Sequence, residues 1–439
     1  MKILITGASG FIGSRIAAAL LAQGHDLVCP LRPGSRGVLH PCASVVPVDF
    51  ASALRDDDWM PSLAGVDVVI NTVGIFRERE TPGQDFATVH VRAPAALFRA
   101  ARMAGVRGII QFSALGADAR AATAYHRSKR EADDALRALA LPAAIVQPSL
   151  VYGPGGTSAR LFNGLAALPL LALPGGGTQM IQPVHVDDVV EGVAALVQRL
   201  TQAPPPQAVT IAFCGPDAIS LKAYLAALRA GLGLAGAQFV LPLPRGAAKA
   251  AATVAGMLPG SLLDPDSLAM LERGNTADPG PFTDLLGHAP RPAAQFIPST
   301  DAAAARAQVT LGMTLPLLRG AVAFVWLWTA AVSLGLYPIS NSLDLLRRTG
   351  MPEALALPAL YGAALLDLCF GVLTLAWRGT RRRWLWLAQM ALILGYTLII
   401  TVRLPEFWLH PYGPLSKNVP MLAVLVLLYL CEPSGKKER

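Results

Sequence analysis

The chain has 439 residues, 53% of them hydrophobic and only 15% charged, with a net charge of +8. That is too long for one ordinary domain and well under the ~25% charge usual in soluble globular proteins. Twelve Lys/Arg and six Asp/Glu follow Leu315, so most of the positive charge belongs to an apolar C-terminal part, where basic loops flank membrane helices, and not to a basic stripe of the kind that binds nucleic acid.

The chain begins with an apolar strand, Lys2–Ile5, that runs into Thr6-Gly7-Ala8-Ser9-Gly10-Phe11-Ile12-Gly13 and then into a helical pattern through Ile16, Ala17, Leu20 and Leu21. Strand, glycine turn and helix in this order form the first unit of a dinucleotide-binding fold. Gly7 permits the tight turn, Gly10 a close backbone approach to a pyrophosphate, and Gly13 close packing of helix on strand. The helix N-terminus offers free N–H groups to the phosphates. Further strands are expected at Asp26–Pro30, Ser44–Val48, Val66–Asn71, Gly108–Phe112 and Ala143–Gln147, with helices between them at Ala93–Ala104 and Arg127–Ala138. Such alternation predicts an α/β fold, a doubly wound parallel sheet of Rossmann type. No secretory leader precedes the first strand, so the nucleotide-binding part is expected to stay in the cytosol.

Beyond residue 149 come Gly/Pro-rich loops and a helix from Val186 to about Leu200. Another strand ends at Phe213–Pro216, and a helix Leu221–Leu232 follows, capped by Ser220. Helix-like pieces at Gly246–Met257 and Asp266–Gly274 belong to a smaller cap region that completes a substrate cleft. From Leu315 four apolar runs follow: Gly320–Leu336, Ala354–Trp377, Trp384–Val402 and Val419–Cys431. The last reaches the ~20 residues of a span only if Leu415–Asn418 is included; otherwise it is a buried re-entrant piece. The expected division is 1–215 for NAD(P) binding, 216–314 for the cap and linker, 315–431 for an all-α four-helix transmembrane domain, and 432–439 for a basic cytosolic tail. Arg378 and Arg381–Arg383 after the second run, and Lys436, Lys437 and Arg439 after the fourth, lie on one side if the chain crosses four times from the cytosol. That places a multi-pass protein in the cytoplasmic (inner) membrane with both ends cytosolic. The cysteines, at 29, 42, 214, 369 and 431, have no metal-binding or disulfide spacing and read as small apolar residues, and no metal is expected.

The catalytic signal is Tyr125-His126-Arg127-Ser128-Lys129. Tyr and Lys at i and i+4 share a helical face. A nearby ammonium lowers the phenol's pKa, and the phenol then exchanges a proton with an alcohol or carbonyl while a nicotinamide exchanges hydride. The alternative is an exposed helical pair. Ser113, at the end of Gly108–Phe112, either polarises a substrate carbonyl or caps its own turn. His126 reads as a surface residue. The second strand ends Val28-Cys29-Pro30-Leu31-Arg32 with no acid to hold ribose hydroxyls, so Arg32, helped by Arg36, favours NADP over NAD unless it is only a solvated loop charge. Asp367 is a carboxylate inside an apolar run, with Arg403 or Asn418 as candidate partners.

These residues together resemble the short-chain dehydrogenase/reductase superfamily, most closely its extended and atypical NAD-dependent epimerase/dehydratase-like branches. The resemblance covers roughly residues 1–215. It implies that Gly7, Ser9, Gly10, Phe11, Ile12 and Gly13 form the cofactor loop, that Asp49 contacts adenine, and that Asn71, Val73 and Gly74 line the cofactor. It also implies that Tyr125 and Lys129 form the catalytic pair and that Pro148, in Gln147–Pro154, lies beside the nicotinamide. Pro183–Val189 is similar to the strand–helix junction of extended members. His90 stands where many members have Asn, Gln147 where Arg is common, and the Ser/Thr cluster after the fifth strand is reduced to Ser113. These departures resemble the branch that includes complex I accessory-subunit-like proteins, in which cofactor binding persists while catalysis is weak or absent. The segment His410–Pro420 is similar to DoxX-like four-helix membrane proteins.

The favoured reading is a membrane-tethered NAD(P)-dependent oxidoreductase. Its substrate would be a small apolar or membrane-associated carbonyl, alcohol or quinone-like compound, and the tether would confine it to the bilayer where that substrate or a membrane protein partner lives. The second reading is a catalytically silent NAD(P)-binding scaffold or redox sensor. A nucleotide-sugar epimerase or dehydratase ranks lower, because the cap is rich in Ala, Leu and Pro and poor in Arg.

Overall fold

The computed structural model describes residues 1–33, 43–257 and 264–433, so Arg36, Cys42 and the basic tail residues Lys436, Lys437 and Arg439 lie outside the described residues. The chain divides into two compact units, Met1–Val309 and Thr310–Arg439.

The first unit begins β1 (Lys2–Thr6), α1 (Phe11–Ala22), β2 (Asp26–Leu31), β3 (Ser44–Pro47), β4 (Val68–Asn71), α2 (Ala93–Met103), β5 (Gly108–Phe112), α3 (Ala124–Arg137) and β6 (Ala143–Pro148). It continues with β7 (Val151–Tyr152), α4 (Thr157–Ala167), β8 (Leu170–Pro174), β9 (Met180–Ile181), β10 (Val184–His185), α5 (Val186–Gln202) and β11 (Val209–Phe213). Seven strands form one sheet in the order β11-β6-β5-β4-β1-β2-β3, with every pairing parallel. The chain runs outward to β3 and crosses back to β4, so β1 and β4 flank the switch point where such sheets bind ligands. Strand residues alternate between two cores. Ile3, Ile5, Val68, Ile70 and Ile110 pack with α1 and α5 on one face; Leu4, Val69, Ile109 and Ile145 pack with α2 on the other.

Side chains also stitch the middle strands. Thr6 donates to Asn71 Oδ1 at 2.6 Å, and Asn71 Nδ2 donates to Gln111 Oε1 at 2.7 Å. All three are buried, so this line satisfies polar groups that would otherwise be costly.

The smaller lobe draws on two stretches of chain. Residues 149–185 supply α4 and the short strands, and β12 (Ile219–Ser220), α6 (Leu221–Gly231), β13 (Phe239–Leu243), α7 (Arg245–Gly256), α8 (Pro265–Arg273) and α9 (Gly280–Leu286) follow β11. The strand pairs β8·β13 and β9·β12 join the two stretches, and β7·β10 closes the first on itself. Ser220 caps α6 as expected, its hydroxyl accepting from Ala223 N at 3.1 Å.

The second unit is helical. Helix α10 (Ala302–Ala331) enters it, followed by a π-turn Val332–Leu336, α11 (Ile339–Arg348), α12 (Glu353–Ala376), α13 (Arg381–Arg403) and α14 (Asn418–Cys431). Three helices, Ala302–Leu336, α12 and α13, are long and apolar enough to cross a membrane. Helix α14 has 14 residues, because Leu415–Lys417 form turns and do not extend it. The charged, apolar-edged α11 breaks the link between the first two runs and was not expected. A polar chain joins α10, α12 and α13: Trp326 Nε1 donates to Gln389 Oε1 at 3.0 Å and Gln389 Nε2 to Thr374 Oγ1 at 2.9 Å, all buried. A Cβ on Gly371 would stand 2.6 Å from Leu327 Cγ, so glycine sets the close approach of α12 to α10.

Neither expected partner reaches Asp367. Asn418 donates to Thr397 at 2.8 Å, and Arg403 lies against Gly350. The reason is depth: Asp367 is mid-helix, whereas Arg403 ends α13 level with the start of α12, about 20 Å away at 1.5 Å per residue.

Replacing Gln389 with Leu should lower the unfolding free energy of the helical unit by about 1 kcal/mol, since it leaves Trp326 N–H and the Thr374 hydroxyl without this partner. Denaturation in mixed detergent micelles measures this.

Candidate active site

The glycine turn is sterically committed. Gly7 has φ +74°, and a Cβ there would stand 2.6 Å from Thr72 Oγ1. A Cβ on Gly13 would collide with the Gly7 carbonyl oxygen, while Gly10 N donates to that oxygen at 2.8 Å. No side chain caps α1 at Gly10, and its first turn carries no acid. The first N–H groups of α1 therefore have neither an intrahelical nor a side-chain acceptor. This cradle fits the phosphates of NAD(P), which would be held by the loop from Gly7 to Gly13. Ser9 is exposed and Ile12 packs partly into the core. Arg15 lies 4.4 Å over the Phe11 ring and donates to Pro154 O at 2.6 Å, tying the turn to the segment after β7.

From Gly7 the contacts lead through Thr72 to Val73, and from Val73 to the second half of the site. Lys129 Nζ donates to Phe112 O at 3.0 Å and to Val73 O at 3.4 Å. Burial pushes this ammonium down to about 8, against a raising effect from Asp133. Gly74 passes directly over it: a Cβ there would be 3.0 Å from Nζ.

Tyr125 lies in the first turn of α3, which starts three residues earlier than the sequence pattern suggests because Thr123 caps it. The half-buried ring sits among Phe76, Phe86, His90 and His126 at centroid distances of 5.4–6.0 Å. Burial raises its hydroxyl to about 12, opposite to the lowering anticipated from Lys129. The ammonium spends its hydrogen bonds on backbone carbonyls, and desolvation decides the direction.

Two neighbours differ from expectation. His126 is buried and not at the surface. Its ring packs beside Gly116 and hydrogen-bonds Thr123 at 3.1 Å, because the loop after β5 folds over the start of α3. Ser113 is buried too, and its hydroxyl donates to Asp133 Oδ2 at 2.6 Å. Asp133 is fully buried, and desolvation raises it to about 6 despite that bond. Asn71 spends its amide on Thr6 and Gln111. Pro148 O accepts from Leu115 N at 3.1 Å. Arg32 is exposed just past β2, and Asp49 accepts from Ala51 N at 3.2 Å within its own turn. The last two lie away from the Tyr125–Lys129 group, at the β2–β3 side of the sheet.

Tyr125 opens on a cleft of about 600 Å³ lined by Phe76, Phe86, Thr253, Met257, Pro265 and Met270, with Arg77, Glu78, Asp264 and Asp266 as its charges. Helix α8 roofs the cleft and is bolted at both ends. Arg77 pairs with Asp264, its N-cap, at 2.6 Å, and Arg273 at its last turn pairs with Asp118 and donates to Gly116 O at 3.0 Å. Among the described lining residues Arg77 is the one cation, and Asp264 neutralises it. Sequence reasoning missed Phe76, Arg77 and Arg273, whose only signal was their sequence proximity to β4 and to the cap helix. A second concavity of about 210 Å³, lined by Pro183, Asp217 and Pro292 among others, includes none of the predicted site residues.

Comparison with known proteins places both parts of the chain in families. Residues 3–212 match the NAD dependent epimerase/dehydratase family and residues 323–426 the DoxX-like family. The chain is 30% identical over 223 residues to NADH dehydrogenase [ubiquinone] 1 alpha subcomplex subunit 9 of Mus musculus, covering 48% of this chain and 56% of that protein. It is 33% identical over 196 residues to a ceramide reductase of Caulobacter vibrioides, covering 44% of this chain and 60% of the relative. The chain thus spans little more than half the length of these relatives. Among solved structures, that of gox2253 superposes with a TM-score of 0.53 at 25% identity, covering 70% of this chain and 98% of that one.

Replacing Arg273 with Ala should speed amide exchange in α8 about fivefold, the size expected for a partly exposed ion pair, and leave the sheet amides unchanged. Gly13→Ala should cost about 1–3 kcal/mol by overpacking against the Gly7 carbonyl, read as a lower melting temperature.

Proposed function

This chain belongs to the NAD dependent epimerase/dehydratase family and carries a DoxX-like domain, and on that premise we propose that it is a membrane-associated NAD(P)-dependent reductase of apolar carbonyl compounds. One observation carries the reading: a protonated phenol lines a cleft whose other walls are largely aromatic and aliphatic and where Arg77, the one cation among the described lining residues, is already paired.

Bound, the dinucleotide supplies the hydride that the carbonyl carbon gains. Tyr125 gives its phenolic proton to the carbonyl oxygen, and the resulting phenolate regains a proton from water. Burial leaves the proton on the phenol at neutral pH, which is the form a reduction draws on, while its raised value makes it a weaker acid and leaves the developing phenolate in need of a nearby positive charge. Lys129, anchored on the carbonyls of Phe112 and Val73, would supply positive charge to the cofactor and to the developing phenolate. A nucleoside-diphosphate sugar needs unpaired cations for its phosphates; the cleft's excess of carboxylates argues against that substrate class. Likeness to a ceramide reductase supports a lipid-soluble carbonyl, and the apolar helices would hold the enzyme where such a compound partitions. A membrane protein partner is a further part of this reading. With Arg319, Arg382 and Arg383 at one end of the bundle, that end is read as cytosolic, and so are both chain ends.

Arg32, exposed at the end of a β2 without acids, supports a preference for NADP over NAD. The observation favouring a silent binding role is that Ser113 gives its proton to Asp133 and so is not a free donor for a carbonyl.

Tyr125→Phe should abolish turnover of a carbonyl panel, by more than about 100-fold, while NADPH affinity stays within about twofold; unchanged turnover would overturn the reductase reading. Arg32→Ala should remove the preference for NADPH over NADH, read by titrating nicotinamide fluorescence. Because Lys129 is held low, at about 8, its charge is half lost at that pH and declines further as pH rises through it. NADPH affinity should therefore fall as pH rises through 8, well before a lysine at its ordinary value would titrate.

A further inference from the structure

His90 occupies a π-turn, Ala87–Arg92, immediately before α2, and is 1% exposed. Its ring stacks on Phe86 at 5.1 Å and meets Tyr125 edge-on at 5.6 Å. Both ring nitrogens are used. Ile75 N donates to Nε2 at 3.0 Å, so Nε2 carries no proton. Nδ1 lies 2.9 Å from Ser128 Oγ, and Ser128 spends its single proton on the Tyr125 carbonyl at 2.8 Å. Nδ1 must therefore be the donor. The order is unique: Ile75 N–H to His90, His90 to Ser128, Ser128 to Tyr125. An imidazolium would set an Nε2 proton against the Ile75 N–H. That conflict adds to burial and the nearby Lys129 charge, which hold His90 down at about 2. The ring is a neutral group with one tautomer.

We propose that His90 is a positioning residue, a strut that fixes Tyr125 to the segment Val73–Ile75 and so sets the reacting phenol relative to the cofactor-lining loop. It rests on the reading of Tyr125 and Lys129 as the reactive pair. The loop it holds carries Gly74, which passes within reach of both Lys129 Nζ and His90 Nε2: a Cβ there would be 3.0 and 3.5 Å from them. One imidazole thus holds the loop with one nitrogen and the phenol-bearing helix with the other. The two ends have separate consequences: the Nε2 bond governs the loop, hence cofactor affinity, and the Nδ1 bond governs Tyr125, hence proton delivery.

Shorter and longer amides separate them. In His90→Asn the side-chain nitrogen can take the place of Nδ1, keeping Ser128 and losing Ile75. In His90→Gln the side-chain oxygen can take the place of Nε2, keeping Ile75 and losing Ser128. His90→Leu loses both. The full chain in detergent is titrated with NADPH, its melting temperature recorded, and turnover measured on the carbonyl panel with Ser128→Ala alongside. The expected result is a split. Asn and Leu weaken NADPH binding at least fivefold while Gln stays within twofold; Gln, Leu and Ser128→Ala lower turnover at least tenfold at saturating NADPH while Asn stays within threefold. Binding within twofold of wild type for all His90 variants would overturn the proposal, as would losses that merely track melting temperature. If wild type binds NADPH without turnover, the reductase reading fails and the binding split still decides the strut. If wild type binds neither nicotinamide cofactor, both readings fall.

Discussion

A buried ammonium determines how this candidate site is built. Lys129 is 4% exposed and satisfies itself on the carbonyls of Phe112, which ends β5, and Val73, two residues past the end of β4. A charge out of water must find such partners, and these are fixed by the sheet. Helix α3 is therefore seated on the sheet edge by its own lysine, and Tyr125, one turn earlier, is carried to the switch point beside the glycine turn. The same burial lowers the lysine and raises the tyrosine, so a phenol that stays protonated and an ammonium that titrates near 8 follow from one packing arrangement.

Around that anchor, charges are spent on architecture. Arg77 and Arg273 bolt the roof helix α8, and Asp133 takes the proton of Ser113. What remains lining the cleft is aromatic and aliphatic, with the carboxylates of Glu78 and Asp266 beside the Arg77–Asp264 pair.

The helical unit applies the same economy in a different medium. Among tightly packed apolar helices a buried Gln costs free energy unless both ends of its amide are used, and Gln389 uses both, toward Trp326 and Thr374. Gly371 lets α12 approach α10 closely enough for that chain to close. At one end Glu432, its side chain 3% exposed, takes Arg319 at 2.8 Å and Arg382 at 3.6 Å, which ties the middle of α10 and the start of α13 to the end of α14.

Local pattern made much of this protein legible in its sequence. The strands β1 to β6, the glycine turn, the Ser220 cap and the long apolar helices are short-range features, set by periodicity and by residues within a turn of one another. The Tyr125–Lys129 spacing is local in the same way. The sequence by itself therefore determined the Rossmann-type domain, the apolar helical domain and the placing of Tyr125 and Lys129 on one helix. Only the tertiary structure decided how each group is spent. That Ser113 faces Asp133, that His126 is buried under the Gly116 loop, that Asp367 is met by neither Arg403 nor Asn418, and that His90 links Ile75 to Ser128 all depend on contacts between distant segments. The physical reason is that a side chain's protonation and hydrogen bonding follow from what burial puts next to it, and burial is a property of the packed chain.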